Sequence, residues 1–177
     1  STGWGVAATY TYSDGHTTNK EWNNDIFNWT YGRYVNAWNP STLVERHRLV
    51  LTGMTDRVLP WGIMLSSKMT FGSGLPFRIT DCSAGWDKCV SRKGEGGAFR
   101  EVDLALSKDV SAGFGKLSLR MDILNLFNTI NYGGYDAWGG GPGNPQNYLG
   151  GDNKNLGVPG SVAGPMRTVK FSVRYAF

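Results

Sequence analysis

No stretch of the 177-residue chain holds about 18 apolar residues in a row, so a membrane-crossing helix is excluded. Strands that alternate residue by residue are not excluded, because they average to a polar-looking composition. Mean hydropathy is −0.32. The 18 lysines and arginines are scattered rather than grouped, which removes the basic stripe that a nucleic-acid binder needs. Cysteine and histidine number two each, and His16 and His47 lie far in sequence from Cys82 and Cys89, so a metal cage lacks ligands. No Ser/His/Asp arrangement, phosphate-cradling glycine loop or convincing carboxylate dyad is present, and Asp152-Asn153-Lys154-Asn155 lacks calcium-loop spacing. The expectation is a protein that is not an enzyme and uses no cofactor. The start, S-T-G-W-G, has no methionine, charged leader or apolar signal core, so the expectation is a mature chain or a piece of a longer one.

What is abundant points to strands. There are 25 glycines, seven tryptophans, eight tyrosines and eight phenylalanines. The last eleven residues, Arg167 to Phe177, alternate almost without fault. Val169, Phe171, Val173, Tyr175 and Phe177 fall on one face, and Lys170, Ser172 and Arg174 on the other. At ~3.3 Å per residue and a tilt of ~45°, such a segment covers about 25 Å, the height of an outer-membrane apolar band.

The same period recurs along the chain. Strands are expected at about 3–13, 46–59, 62–77, 99–110, 116–128 and 167–177, with a bulge where the register stumbles at Ile123-Leu124. Between them run long segments at 14–45, 78–98 and 131–166, and short turns at Pro60-Trp61-Gly62 and Ser111 to Gly115. Connections alternate long and short, which predicts an all-β, antiparallel, up-and-down meander of about six strands. Charge recurs opposite the apolar face, at Lys68, Glu101, Asp103, Arg120, Asp122, Lys170 and Arg174. Long loops on one side and short turns on the other suit part of a large transmembrane β-barrel, with the charged face toward a wet lumen.

Five local motifs, in order, carry a family resemblance. They are Glu45-Arg46-His47-Arg48-Leu49-Val50-Leu51 running to Leu59-Pro60, Phe71-Gly72-Ser73-Gly74-Leu75-Pro76-Phe77, Phe99 with Val102 to Lys108, Asp122-Ile123-Leu124-Asn125-Leu126-Phe127-Asn128, and the terminal Tyr175-Ala176-Phe177. Together they resemble the C-terminal end of a TonB-dependent outer-membrane receptor of the Oar-like branch, which often carries a carboxypeptidase-regulatory-like domain. The resemblance implies a plugged barrel of many more strands that takes up a scarce nutrient with inner-membrane energy. It implies a Gram-negative outer-membrane location, long loops outside and a periplasmic C-terminus. The implied partners are outer-membrane lipid and lipopolysaccharide, the remaining strands and plug of the parent chain, the TonB-type coupling apparatus and the barrel-assembly machinery. Phe171, Val173, Tyr175 and Phe177 resemble the terminal signal that this machinery reads. Two other readings stand beside it. One is a small outer-membrane protein that assembles with other chains, and the other is a secreted β-sandwich that binds glycans.

Candidate sites are few. Cys82 and Cys89, in a segment expected to meet an oxidising compartment, are expected to be bridged. Trp22, Trp29, Tyr31, Tyr34 and Trp38 form an aromatic-rich segment that either contacts a ligand or partner or packs the loop and girdle. Arg46, His47 and Arg48 either attract an anion or pair with carboxylates. Arg120 and Asp122 either contact a plug or form an ion pair between strands. Glu101 and Asp103 read as lumen lining rather than a hydrolytic pair.

Overall fold

The computed structural model describes residues 3–18, 38–41, 43–56, 59–81, 90–140 and 156–177. Its strands, in chain order, are β1 (Gly3–Tyr12), β2 (His16–Thr18), β3 (Trp38–Pro40), β4 (His47–Asp56), β5 (Met64–Gly72), β6 (Phe77–Asp81), β7 (Val90–Gly94), β8 (Phe99–Ala112), β9 (Gly115–Leu124), β10 (Tyr132–Tyr135), β11 (Trp138–Gly140), β12 (Pro159–Val162) and β13 (Thr168–Ala176). Among the described residues no helix is long and apolar enough to cross a membrane. The protein is all-β, as the alternation predicts.

Six long strands form one antiparallel sheet in the order β1-β4-β5-β8-β9-β13. Each long strand pairs with the next long strand in the chain, so the path is an up-and-down meander. The sheet is open: β1 and β13 are its edges and do not pair with each other. The long connections, 13–46, 73–98 and 125–167, all leave from one end of the sheet. The short ones, 57–63 and 113–114, lie at the other. At the β8–β9 turn Gly113 takes φ 60, a conformation that a β-carbon would strain.

The long connections contain pairing of their own. β2 pairs with β3, β10 with β12, and β6 lies between β7 and β11. The apolar residues of these segments are too few and too irregularly spaced to show a period of two, which is why only their Gly- and Asn-rich character is visible in the sequence. The expected bulge is not found: β9 pairs with β13 in unbroken register through Leu124–Thr168. The stumble is instead a strand end. Asn125 turns into the left-handed region at φ 51 and Asn128 follows at φ 54, so β9 stops at Leu124 rather than near 128.

Candidate functional site

The registers put one set of side chains on each side of the sheet. Across one level the partners run Tyr10–Leu49–Phe71, and across another Leu65–Leu106–Met121–Phe171. This face carries no aspartate or glutamate from β1 to β13. Its basic residues are His47 and Arg100 at the loop end, and Lys108, in register with Leu119 toward the short-turn end. Among the described residues none covers it: Trp4, Val6, Phe171 and Val173 are 77, 69, 75 and 69% exposed. Among the described residues Ile79 is the one buried hydrophobic side chain. The apolar face therefore points outward, the reverse of a water-soluble sheet packed on its own core.

Aromatic rings gather at both ends of the sheet. Trp4, Trp61, Phe114, Tyr175 and Phe177 lie at the short-turn end, and Tyr10, Tyr12, Phe71 and Phe127 at the loop end, all exposed. Trp61 is held at φ 61, unusual for a bulky residue, in the turn after Pro60, with its ring 81% exposed. Tyr10 Oη lies 2.8 Å from Nδ1 of His47, whose ring also meets Tyr12 at 5.4 Å.

The opposite face is polar. A cavity of about 550 Å³ on this side is lined by five successive strands, from Gly5 and Ala7 on β1 to Arg120 and Asp122 on β9, so the sheet curls toward its polar face. Three ion pairs on this face are short. Lys68 Nζ lies 3.1 Å from Asp103 on the adjacent strand, and Lys116 Nζ lies 2.8 Å from Asp109 across the β8–β9 turn. Arg120 grips both oxygens of Asp122 through Nε, at 2.9 and 3.0 Å. That pair lies within one strand rather than between strands.

At the loop end three asparagines, spaced three apart after β9, tie the connections to the sheet. Asn125 is fully buried: it accepts the Thr129 N–H at 2.9 Å and donates to the carbonyls of Thr129 and Pro165, each at 2.9 Å. Its own N–H donates to Asp103 at 3.0 Å. Asn128 accepts the Arg167 N–H at 3.0 Å, just before β13. Asn131 acts as a strand-like clamp on β8, accepting the Arg100 N–H at 2.7 Å and donating to the Arg100 carbonyl at 3.0 Å. A side-chain amide can satisfy both a donor and an acceptor at once, which suits an irregular chain that must leave a sheet without stranding its backbone groups.

These clamps lie next to the β10–β12 strand pair at the loop end, where a recess of about 760 Å³ opens. Its walls include Thr11 on β1, Ser13 just after that strand, Glu45 and Arg48, Leu75, Phe99, and Tyr132 to Tyr135. Glu45 accepts the Gly74 N–H at 2.8 Å and Arg48 Nη1 at 3.1 Å, and the Arg48 guanidinium lies 5.9 Å from the centre of the Phe99 ring. Gly74, at φ 82, has no room for a β-carbon, which would sit 2.0 Å from the Gly97 carbonyl. Tyr135 stacks on Phe77 with centroids 5.0 Å apart, and its hydroxyl takes the Gly97 N–H.

Phe171, Val173 and Tyr175 lie on the outward apolar face, with Phe177 just beyond β13. The basic triplet is split by alternation. Arg46 reaches Asp14 at 3.5 Å, His47 turns outward, and Arg48 turns inward to Glu45. Cys82, Cys89, Trp22, Trp29, Tyr31 and Tyr34 lie outside the described residues, and Trp38 is described only by its backbone pairing with Thr18. Among the described residues no three His, Cys, Asp or Glu side chains converge as metal ligands would. Sequence reasoning missed the recess and the asparagine clamps. The one signal for them was the spacing of Asn125, Asn128 and Asn131. No protein-family model, curated protein or solved structure matches the chain.

Proposed function

We propose that the six-stranded sheet is a stretch of transmembrane β-barrel wall in a Gram-negative outer membrane, belonging to a transporter of the TonB-dependent type. The observation that carries this reading is the uncovered apolar face, continuous over all six strands and free of carboxylates. Five of those strands are 9 or 10 residues long, the length of a tilted membrane strand. The two rows of exposed aromatics match interfacial girdles, and the left-handed Trp61 fits a ring held at an interface despite its backbone cost. On this reading the short turns are periplasmic, the long connections extracellular, and the charged concave face lines the lumen. The plug, the coupling segment and the further strands belong to the rest of the assembly. Transport of a scarce nutrient is the function that the motif resemblance adds.

A second reading draws on the two bare edges. β1 runs toward the loop end and β13 away from it, so neighbouring copies standing side by side would meet antiparallel and could close a ring. The mass of the native polypeptide separates the two, a much longer chain favouring the single-chain transporter. The membrane reading itself is tested with nitroxide labels placed one at a time from 169 to 174 in protein reconstituted into bilayers. Labels at 169, 171 and 173 are expected to respond to oxygen, and those at 170, 172 and 174 to a water-soluble quencher. The opposite alternation, or quencher access throughout, would refute it.

A further inference from the structure

We propose that the loop-end recess is a binding site for a neutral saccharide. At about 760 Å³ it falls in the range of small-molecule sites. Its charges cancel. Among the described lining residues Glu45 and Arg48 are the one anion and the one cation, and they are bound to each other at 3.1 Å. A phosphorylated or carboxylated ligand would meet described walls of no net charge, whereas a neutral polyol needs no counter-charge.

The rest of the lining suits a ring of hydroxyls with an apolar face. Tyr132 is 49% exposed beside the recess, a flat surface for stacking, and Phe99 is already covered by Arg48. Residues whose hydroxyls both donate and accept surround that surface: Thr11, Ser13, Tyr132 and Ser161 all line the recess. Arg48 spends one of its five N–H donors on Glu45 and keeps others free. Glycine at 97, 133 and 134 keeps the walls low enough for a sugar ring to approach the backbone. Among the described lining residues the aliphatic side chains are Leu43, Val44, Leu75 and Ala163, set among the hydroxyl-bearing ones.

This proposal rests on the recess and not on lipid at the opposite face, so a protein that binds sugar yet fails to insert into bilayers keeps it and loses the other. The test uses the purified full-length protein in detergent on an array of neutral and acidic oligosaccharides, then calorimetric titration with the strongest neutral binder. Saturable binding of a neutral sugar is expected. Two variants report on the site without disturbing its clamps: Tyr132→Ala removes the stacking surface, and Thr11→Trp fills the recess from an exposed position on β1. Each is expected to weaken binding by about tenfold or more, the loss typical of a contact residue at the centre of a site, with an unchanged circular dichroism spectrum. No array member bound, a preference for acidic sugars, or wild-type affinity in both variants would overturn the proposal.

Discussion

Asn125→Ala is expected to be among the most damaging single substitutions in the chain, although it touches neither face of the sheet. The side chain is fully buried and makes three hydrogen bonds, to the Thr129 N–H, the Thr129 carbonyl and the Pro165 carbonyl, each at 2.9 Å. Alanine leaves all three without that partner, and each part-buried hydrogen bond lost costs about 1 kcal/mol. Asparagine also tolerates the left-handed backbone, φ 51, better than alanine does. That difference adds about 1 kcal/mol, for a total of about 3–5 kcal/mol. Asn125→Gly separates the two causes: it loses the same hydrogen bonds but frees the backbone, so it is expected to recover about 1 kcal/mol relative to alanine. Urea unfolding of the full-length protein in lipid vesicles, followed by tryptophan fluorescence, measures both. An alanine variant within about 0.5 kcal/mol of wild type, the scatter of ordinary surface changes, would refute the clamp. A glycine variant less stable than alanine would refute the backbone argument.

Other outcomes follow from the two faces and the chain's special residues. Leu106→Lys, on the apolar face between Leu65 and Met121, is expected to cost about 2–4 kcal/mol in a bilayer. Ser107→Lys, one residue on and facing the polar side, should cost little, and equal effects in the same unfolding assay would contradict the sidedness. Deleting Phe177 is expected to lower the amount of protein assembled in the outer membrane, and wild-type levels by fractionation would remove its role as a terminal signal. Cys82 and Cys89 are expected to resist a thiol-blocking reagent until reduced; a mass gain of two blocking groups without reductant would rule out the bridge.

The sheet was legible because its signal is local. An alternation of two residues is written within each strand, and the alternation of long and short connections gives the meander without any knowledge of partners. The faces of Lys68, Asp103, Arg120 and Lys170 follow from parity alone. The recess was not legible because its walls come from distant segments, Thr11, Glu45, Gly97 and Tyr132 among them, which long-range contacts such as the asparagine clamps bring together. Those clamps join side chains to backbone groups 31 to 40 residues away, and no periodicity records such a pairing. The end of β9 misled for a related reason: Leu124 and Leu126 continue an apolar run, while the turn is made by the polar residue between them.

The same sidedness pins the register and exposes an unmet need at one edge. Sliding β13 by one residue along β9 would swing Lys170 and Arg174 onto the apolar side, opposite Met121 and Leu117 in one direction or Ile123 and Leu119 in the other. Each cation there would cost about 2–4 kcal/mol in lipid, so the slip is opposed even though the count of backbone bonds is unchanged. β1 has no comparable protection against new partners. Its ten residues, GWGVAATYTY, contain no charge and no proline, and its pairing with β4 shows no bulge. Edge strands that face water are blunted by those very devices. β1 is therefore built as an interior strand that expects a neighbour. In the assembled protein its amides pointing away from β4 should resist hydrogen exchange as strongly as those of β5, which is paired on both sides. Fast exchange at those amides, with β5 protected, would make β1 a true edge and leave the open sheet as the finished structure.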